Sequence, residues 1–359
     1  MTTSPTVLTG AEVLAGKELE VVSDATVVIE DGKIASIEPG SGPVPEGAEV
    51  VDLSGQTLAP GFIDAHVHIG FHSPAEVVAG GVTTVRDLAW PPEEIHPLAA
   101  RSADPSFDGP LIVAAGPMLT APGGYPMRAE WAPPGTGRGV ADPSEAAKAV
   151  ALTAREGARV IKIALNPEAG PVLDSRTLKS IIDAAHDRGL KVTGHVSGVD
   201  QLNKAIEAGL DELAHMLMGE QRIPSSDIEE MVARGVVVVP TLSIRFGNDL
   251  RIAVDNLGEF LRQGGRVLYG TDLGNYGPRP GIDGREVKAM ASAGMSPGAI
   301  LESATVAAAE WLGLETKGVL APGFDADIVG FRRSPLQNAA DMTEVASVWR
   351  MGRRIGRIR

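Results

Sequence analysis

Two hydropathy rhythms divide the chain. In the first sixty residues apolar and polar positions alternate: residues 26–30 are rich in Val and Ile, Asp31-Gly32 interrupts them, and residues 33–37 alternate again. Two alternating runs joined by an Asp-Gly pair predict a β-hairpin. Residues 49–53 are a further short strand candidate. From Leu58 onward short apolar runs are separated by Ala-rich segments, the rhythm of parallel βα units.

Eight runs fit the strand role: residues 62–68, 83–86, 111–115, 159–163, 191–194, 212–214, 236–240 and 267–270. Segments 143–156, 175–187, 201–208 and 226–233 read as intervening helices. The span 58–314 is close to the ~250 residues of a (β/α)8 barrel. The expected fold is therefore α/β, a TIM-type barrel. Residues 317–330 and 345–354 read as strands again and are expected to join the N-terminal β segment in a small β-sandwich. The expected domains are residues 1–57 plus 315–359 for the composite sandwich and 58–314 for the barrel. The Pro- and Gly-rich residues 121–140 are expected to form the longest loop.

Composition narrows the chemistry. A net charge of −14 over 359 residues argues against nucleic acid or an anionic membrane as partner, since both need a basic footprint. The chain has no cysteine, so thiolate metal ligands are excluded and any metal site uses His, Asp, Glu or Lys. Residues 1–10 lack a basic segment followed by an apolar run, and no stretch approaches the ~20 apolar residues of a membrane span. A cytoplasmic protein acting on a small molecule is the expectation.

The strongest chemical signal is His66-Val67-His68 at the end of the first barrel run. Residues i and i+2 of a strand share a face, so both imidazoles are aimed together. Lys162, His195, His215 and Asp272 fall at or just beyond the ends of the fourth, fifth, sixth and eighth runs. The C-terminal face of such a barrel is where active sites sit, and four of the seven histidines land there. Neutral imidazole and carboxylate suit zinc, manganese or cobalt, with iron a further candidate. Lys162 interrupts the apolar run Val160-Ile161-Lys162-Ile163. Burial and neighbouring positive charge lower an amine's pKa, and a neutral amine reacts with carbon dioxide to a carbamate able to bridge two cations.

Segment 59–68, Ala-Pro-Gly-Phe-Ile-Asp-Ala-His-Val-His, resembles the opening motif of the amidohydrolase superfamily. Val192-Thr193-Gly194-His195, segment 207–215 ending in His215, Tyr269-Gly270-Thr271-Asp272 and segment 318–329 resemble its later motifs. The likeness covers nearly the whole chain and is nearest the branch of imidazolonepropionase-like proteins and metal-dependent prolidase-like dipeptidases. It implies two divalent ions, most simply Zn2+: His66, His68 and Asp272 holding the more buried one, His195 and His215 the other, with carboxylated Lys162 and a hydroxide bridging them. It also implies that Asp272 is the catalytic base, passing a proton to the leaving nitrogen.

Substrate selection is expected in the long loops, where Tyr125, Arg128, Arg245, Tyr276 and Arg279 are candidate contacts. His72, His96 and His186 read as solvated or structural, and Arg86-Asp87 as either a pocket pair or a structural ion pair. Only fourteen residues separate His68 from Thr83, a pared rim that either leaves the pocket more open or relies on a partner copy in a homo-oligomer to close it. The expected activity is metal-dependent hydrolysis of a non-peptide carbon–nitrogen bond in an amide, cyclic amide or N-acyl compound. A mononuclear deaminase or imidazolonepropionase-like hydrolase stays open, as do phosphoester, lactone or carbamate hydrolysis and a metal-retaining barrel without catalysis.

Overall fold

The computed structural model describes residues 4–217 and 221–356. Its strands in chain order are β1 (Thr6–Ala15), β2 (Glu20–Glu30), β3 (Lys33–Pro39), β4 (Glu49–Asp52), β5 (Thr57–Pro60) and β6 (Phe62–Val67). Then come β7 (Val82–Asp87), β8 (Leu111–Ala114), β9 (Met118–Thr120), β10 (Gly137–Gly139), β11 (Ile161–Leu165) and β12 (Val192–Val196). The last six are β13 (Glu212–Ala214), β14 (Val237–Val239), β15 (Arg266–Val267), β16 (Ile328–Phe331), β17 (Val345–Arg350) and β18 (Arg353–Arg354). No helix among the described residues is long and apolar enough to cross a membrane.

Both chain ends build one eight-stranded sheet, in the order β18-β17-β16-β5-β1-β2-β3 with β4 beside β1. The β2–β3 hairpin turns at Asp31 and Gly32, both at positive φ (48° and 79°), the conformation a two-residue turn between twisted strands requires. A cluster of Leu8, Val13, Val27, Ile34, Leu58, Ile328 and Trp349 packs against this sheet. The two ends meet directly where β16 runs antiparallel to β5, Ile328 opposite Pro60.

Residues 317–327, expected as strand, are bends and irregular backbone with a turn at 322–323 and one isolated antiparallel bridge, Asp325 to Lys33. Gly318 and Gly323 adopt positive φ (75° and 89°) and break the extended run. The segment crosses the hairpin tip: Gly323 N donates to Ile34 O (2.8 Å) and Ala326 N to Gly32 O (2.9 Å). Lys317 is buried there between Asp325 (3.0 Å) and Asp327 (2.7 Å).

The middle of the chain is α/β with parallel strands. Each of the eight apolar runs carries one strand, from β6 through β7, β8, β11, β12, β13 and β14 to the two-residue β15. The ladders group as β6-β7-β8 and β10-β9-β11-β12-β13-β14-β15. Every residue of β6, β7, β11 and β12 is buried, as parallel strands covered on both faces require. Backbone bonds also run between the two sheets: Arg159 N to Ala114 O (2.9 Å), Ala65 N to Tyr269 O (3.0 Å) and His68 N to Leu273 O (2.6 Å).

The expected loop 121–140 has more structure than its Pro and Gly content suggests. β9 and β10, at its two ends, pair in parallel, and β9 joins β11 through Leu119 opposite Ile163. Helices fill the other connections, and those at Pro143–Glu156, Ser175–His186 and Gly284–Ser292 are capped by Asp142, Asp174 and Asp283. In each the carboxylate accepts from backbone N–H groups of the first turn, which have no partner within the helix.

Candidate metal centre

His66 and His68 flank Val67 at the end of β6 and are 0% and 5% exposed. Asp64, two residues earlier, is a buried carboxylate that accepts from His66 N (3.1 Å), Thr271 N (3.1 Å) and Thr271 Oγ1 (2.6 Å). Through it the end of β6 is tied to the chain beyond β15, where Asp272 follows. Desolvation pushes Asp64 up to about 7, against the hydrogen bonds that favour its charge.

Asp272 Oδ1 lies 3.4 Å from His66 Nε2 and 3.1 Å from His68 Nε2, without the alignment of a hydrogen bond to either. These three side chains bring ligand atoms within 4.8 Å of one another, and all are buried. A second pair adjoins them. His195, on β12, places Nδ1 3.0 Å from Nε2 of His215, which follows β13. His215 Nδ1 lies 2.8 Å from Thr241 Oγ1 and 3.7 Å from Asp272 Oδ2. Ring centroids step from His68 to His66 (5.6 Å), to His215 (4.8 Å) and to His195 (4.8 Å), so the four imidazoles form one continuous cluster.

Lys162, on β11, is fully buried and its Nζ has no hydrogen-bond partner. Burial lowers its pKa to about 7, with the charges of Asp272 and Glu212 opposing the drop. The amine is thus partly neutral at physiological pH. His66 and His215 are held well below the ordinary imidazole range by burial and by the cationic Lys162 and neighbouring rings, and His195 is lowered to about 3. His68 differs: burial works against its charge, but the Asp272 carboxylate outweighs it and raises the pKa.

Buried polar atoms are almost always satisfied. Here both ring nitrogens of His66, Asp272 Oδ1 and Lys162 Nζ are buried without partners in one place. Neutral imidazoles around a carboxylate, with their lone pairs unspent, fit one or more divalent cations. The backbone around them is strained as well. His215, Leu217, Thr241 and Asp272 all take positive φ (144°, 33°, 47° and 58°), each costing about 1–3 kcal/mol and persisting only where surroundings enforce it. Arg245 does part of the enforcing: it is 2% exposed and donates to Met216 O (3.0 Å) and Leu217 O (2.8 Å) while pairing with Asp249 (2.6 Å).

Of the candidate substrate contacts, Tyr125 reaches the cluster, stacking on His195 at 4.7 Å. Arg245 sits behind the chain after β13, its guanidinium spent on the carbonyls just named. Arg128 and Arg279 are exposed, and Tyr276 is 86% exposed against Phe246 (5.6 Å). Arg86 and Asp87 do not pair with each other. Arg86 binds Glu212 (2.5 Å) and Ala65 O (2.7 Å), while Asp87 accepts from Ile69 N (2.8 Å) and Ala89 N (3.2 Å).

Trp131 lies in the third loop, where substrate selection is expected, whereas Asp64, Phe71, Asn166 and Thr241 escape the sequence reading. Trp131 faces His68 (5.3 Å) and Tyr125 (6.1 Å), and Phe71 faces Trp131 (6.3 Å), so an aromatic wall bounds one side. Asn166 Nδ2 lies 3.4 Å from His195 Nε2. Its signal was available, because Lys162, Ala164 and Asn166 share one face of an extended chain. Asp64 likewise shares the face of His66. Thr241 and Phe71 carry no such signal.

The family model of the amidohydrolase family matches residues 57–355. An uncharacterized protein of Mycobacterium tuberculosis is 29% identical over 371 residues, covering 91% of each chain. An adenine deaminase of Halalkalibacterium halodurans is 30% identical over 327 residues, covering 85% of this chain but 50% of its own, so this chain spans about half its length. Among solved structures, a Xaa-Pro dipeptidase with methionine bound in its active site superposes with a TM-score of 0.83 at 24% identity, covering 98% of this chain and 99% of that one.

Proposed function

This chain belongs to the amidohydrolase family, and from that premise we propose that it is a metal-dependent hydrolase of a carbon–nitrogen bond other than a peptide bond, acting on a small amide, cyclic amide or N-acyl compound. The observation that carries the reading is the set of buried, unpartnered ligand atoms on His66, Asp272 and Lys162 beside His68, His195 and His215. The two parallel sheets are read as one (β/α)8 barrel over residues 58–314, with residues 1–57 and 315–359 as a composite β-sandwich. His66, His68 and Asp272 would hold one divalent ion and His195 and His215 a second, with carboxylated Lys162 between them, zinc being the simplest occupant.

When bound, such ions supply Lewis acidity toward a carbonyl and acidify water. The chain's own groups do the rest. Asp272 accepts the proton of the attacking water and returns it to the leaving nitrogen. Tyr125 and Trp131 shield one flank from solvent and orient a planar group of the substrate. Burial keeps the imidazoles of His66, His195 and His215 neutral, and so free to donate lone pairs.

A mononuclear deaminase is the second reading. Its support is that only His66, His68 and Asp272 form a compact three-ligand group among the described residues, and that a relative is an adenine deaminase. Elemental analysis of protein made with zinc and bicarbonate decides between the two. Two ions per chain, falling in Lys162→Met, support the binuclear hydrolase. One ion, unchanged in that variant, supports the deaminase reading and sends the activity screen to aminated heterocycles.

A further inference from the structure

A cavity of about 470 Å³ opens at the start of β11 and β12. Its walls include Arg159 just before β11 and Arg188 and Lys191 just before β12, whereas the metal-binding candidates sit within or beyond the strands. Arg86 closes its inner end and Trp311 one side. No Asp or Glu is among the lining residues, in a chain whose acids outnumber its bases by 46 to 32. Arg86 is offset by Glu212 beneath it, and the other three cations, Arg159, Arg188 and Lys191, concentrate positive potential in the recess.

Of these cations Arg86 is paired with the buried Glu212 carboxylate, while Arg159, Arg188 and Lys191 have no carboxylate partner among the described residues. Arg86 is 1% exposed; its Nε and Nη2 are bonded to Ala65 O and Glu212, and the described residues give Nη1 no partner. The Arg188 guanidinium donates to Ala184 O (3.0 Å) and Lys191 Nζ to Trp311 O (3.1 Å), carbonyls that leave both charges intact. The carboxylate under the cavity, Glu212, is spent on Arg86, Thr193 Oγ1 (2.6 Å) and Trp311 Nε1 (2.6 Å).

We infer that this recess is a second binding site, for a small multiply charged oxyanion carrying phosphate or several carboxylates. Guanidinium groups match the geometry of both. Trp311, Arg86 and Thr193 share the Glu212 carboxylate, and Thr193 lies opposite Lys162 in the β11–β12 ladder.

Titration calorimetry of the whole protein at low ionic strength tests this, with inorganic pyrophosphate and tricarballylate as probes to separate phosphate-bearing from polycarboxylate ligands. The expected result is saturable binding of at least one probe at about one per chain, weakened at least tenfold by Arg159→Glu and by Arg188→Glu. Lys288→Glu, an exposed charge outside the recess, should leave it unchanged. Binding should persist in His68→Ala, which separates this site from anions captured at the metal centre. No saturable binding, equal weakening by Lys288→Glu, or loss in His68→Ala would each overturn the inference. Unchanged unfolding profiles of the two arginine variants show that the loss is not one of folding.

Discussion

Replacing Lys162 with Met should stabilise the metal-free protein while lowering the metal content expected under the binuclear reading. Lys162 is fully buried with an unpartnered Nζ, and its pKa falls from 10.5 to about 7. At about 1.4 kcal/mol per pKa unit, that shift corresponds to a folding penalty of ~5 kcal/mol. The sign follows from where the proton resides. Between pH 7 and 10.5 the unfolded chain holds a proton that the folded chain has released, so stability rises with pH across that window. Below pH 7 both states are protonated and the full penalty applies. Methionine fills a similar volume without a charge, so chelator-treated Lys162→Met should gain ~2–5 kcal/mol at pH 6.5 and much less at pH 10. Urea denaturation at both pH values reads this directly, provided the m-value is unchanged. Equal stability of variant and wild type at pH 6.5 would refute the reasoning, because it would mean the ammonium is solvated or paired. A gain independent of pH would refute it too, by assigning the effect to packing alone.

Three further substitutions probe buried ionisable groups, two of them holding the site in place and the third, Glu286, accepting from Ser243 N (2.6 Å). Asp64→Asn keeps two acceptor contacts but sets an N–H₂ against Thr271 Oγ1, so it should cost ~1–3 kcal/mol and weaken metal binding 10- to 100-fold in a competitive chelator titration. Arg245→Met strands the Met216 and Leu217 carbonyls and should destabilise by ~3–5 kcal/mol; unchanged stability with a raised KM would instead make Arg245 a substrate contact. Burial raises Glu286 to about 8, so the folded chain retains a proton that the unfolded chain gives up above the ordinary value of 4.5, and wild-type stability is drawn down as pH rises from about 5 to 8. Glu286→Gln should flatten that decline relative to wild type in thermal melts across the same range. Identical slopes would show that the carboxyl is charged in the fold.

Local pattern set much of this protein before any tertiary contact was considered. Period-two spacing aims His66 and His68 to one side of β6, and the same rule links Lys162 to Asn166 and Asp64 to His66. A lone cation in the run 160–163 already signals a buried amine, since no strand buried on both faces would otherwise carry one. The eight strands were legible because parallel strands must be apolar on both faces. Where the signal failed, the contacts that decided the structure were distant ones. Residues 317–327 depart from a strand because they cross a hairpin almost three hundred positions earlier, and β9 and β10 extend because β11 offers an edge to pair with. Arg245 reads in the sequence as a cation on a loop, yet it serves as the brace of a chain segment nearly thirty residues upstream. Asp64 meets Thr271 across 207 residues, and that bond sets Asp272 beside two histidines. Sequence spacing determined which way each ligand points from its own strand. Only the tertiary structure decided which ligands meet, because that depends on strand order and on buried hydrogen bonds that no local period encodes.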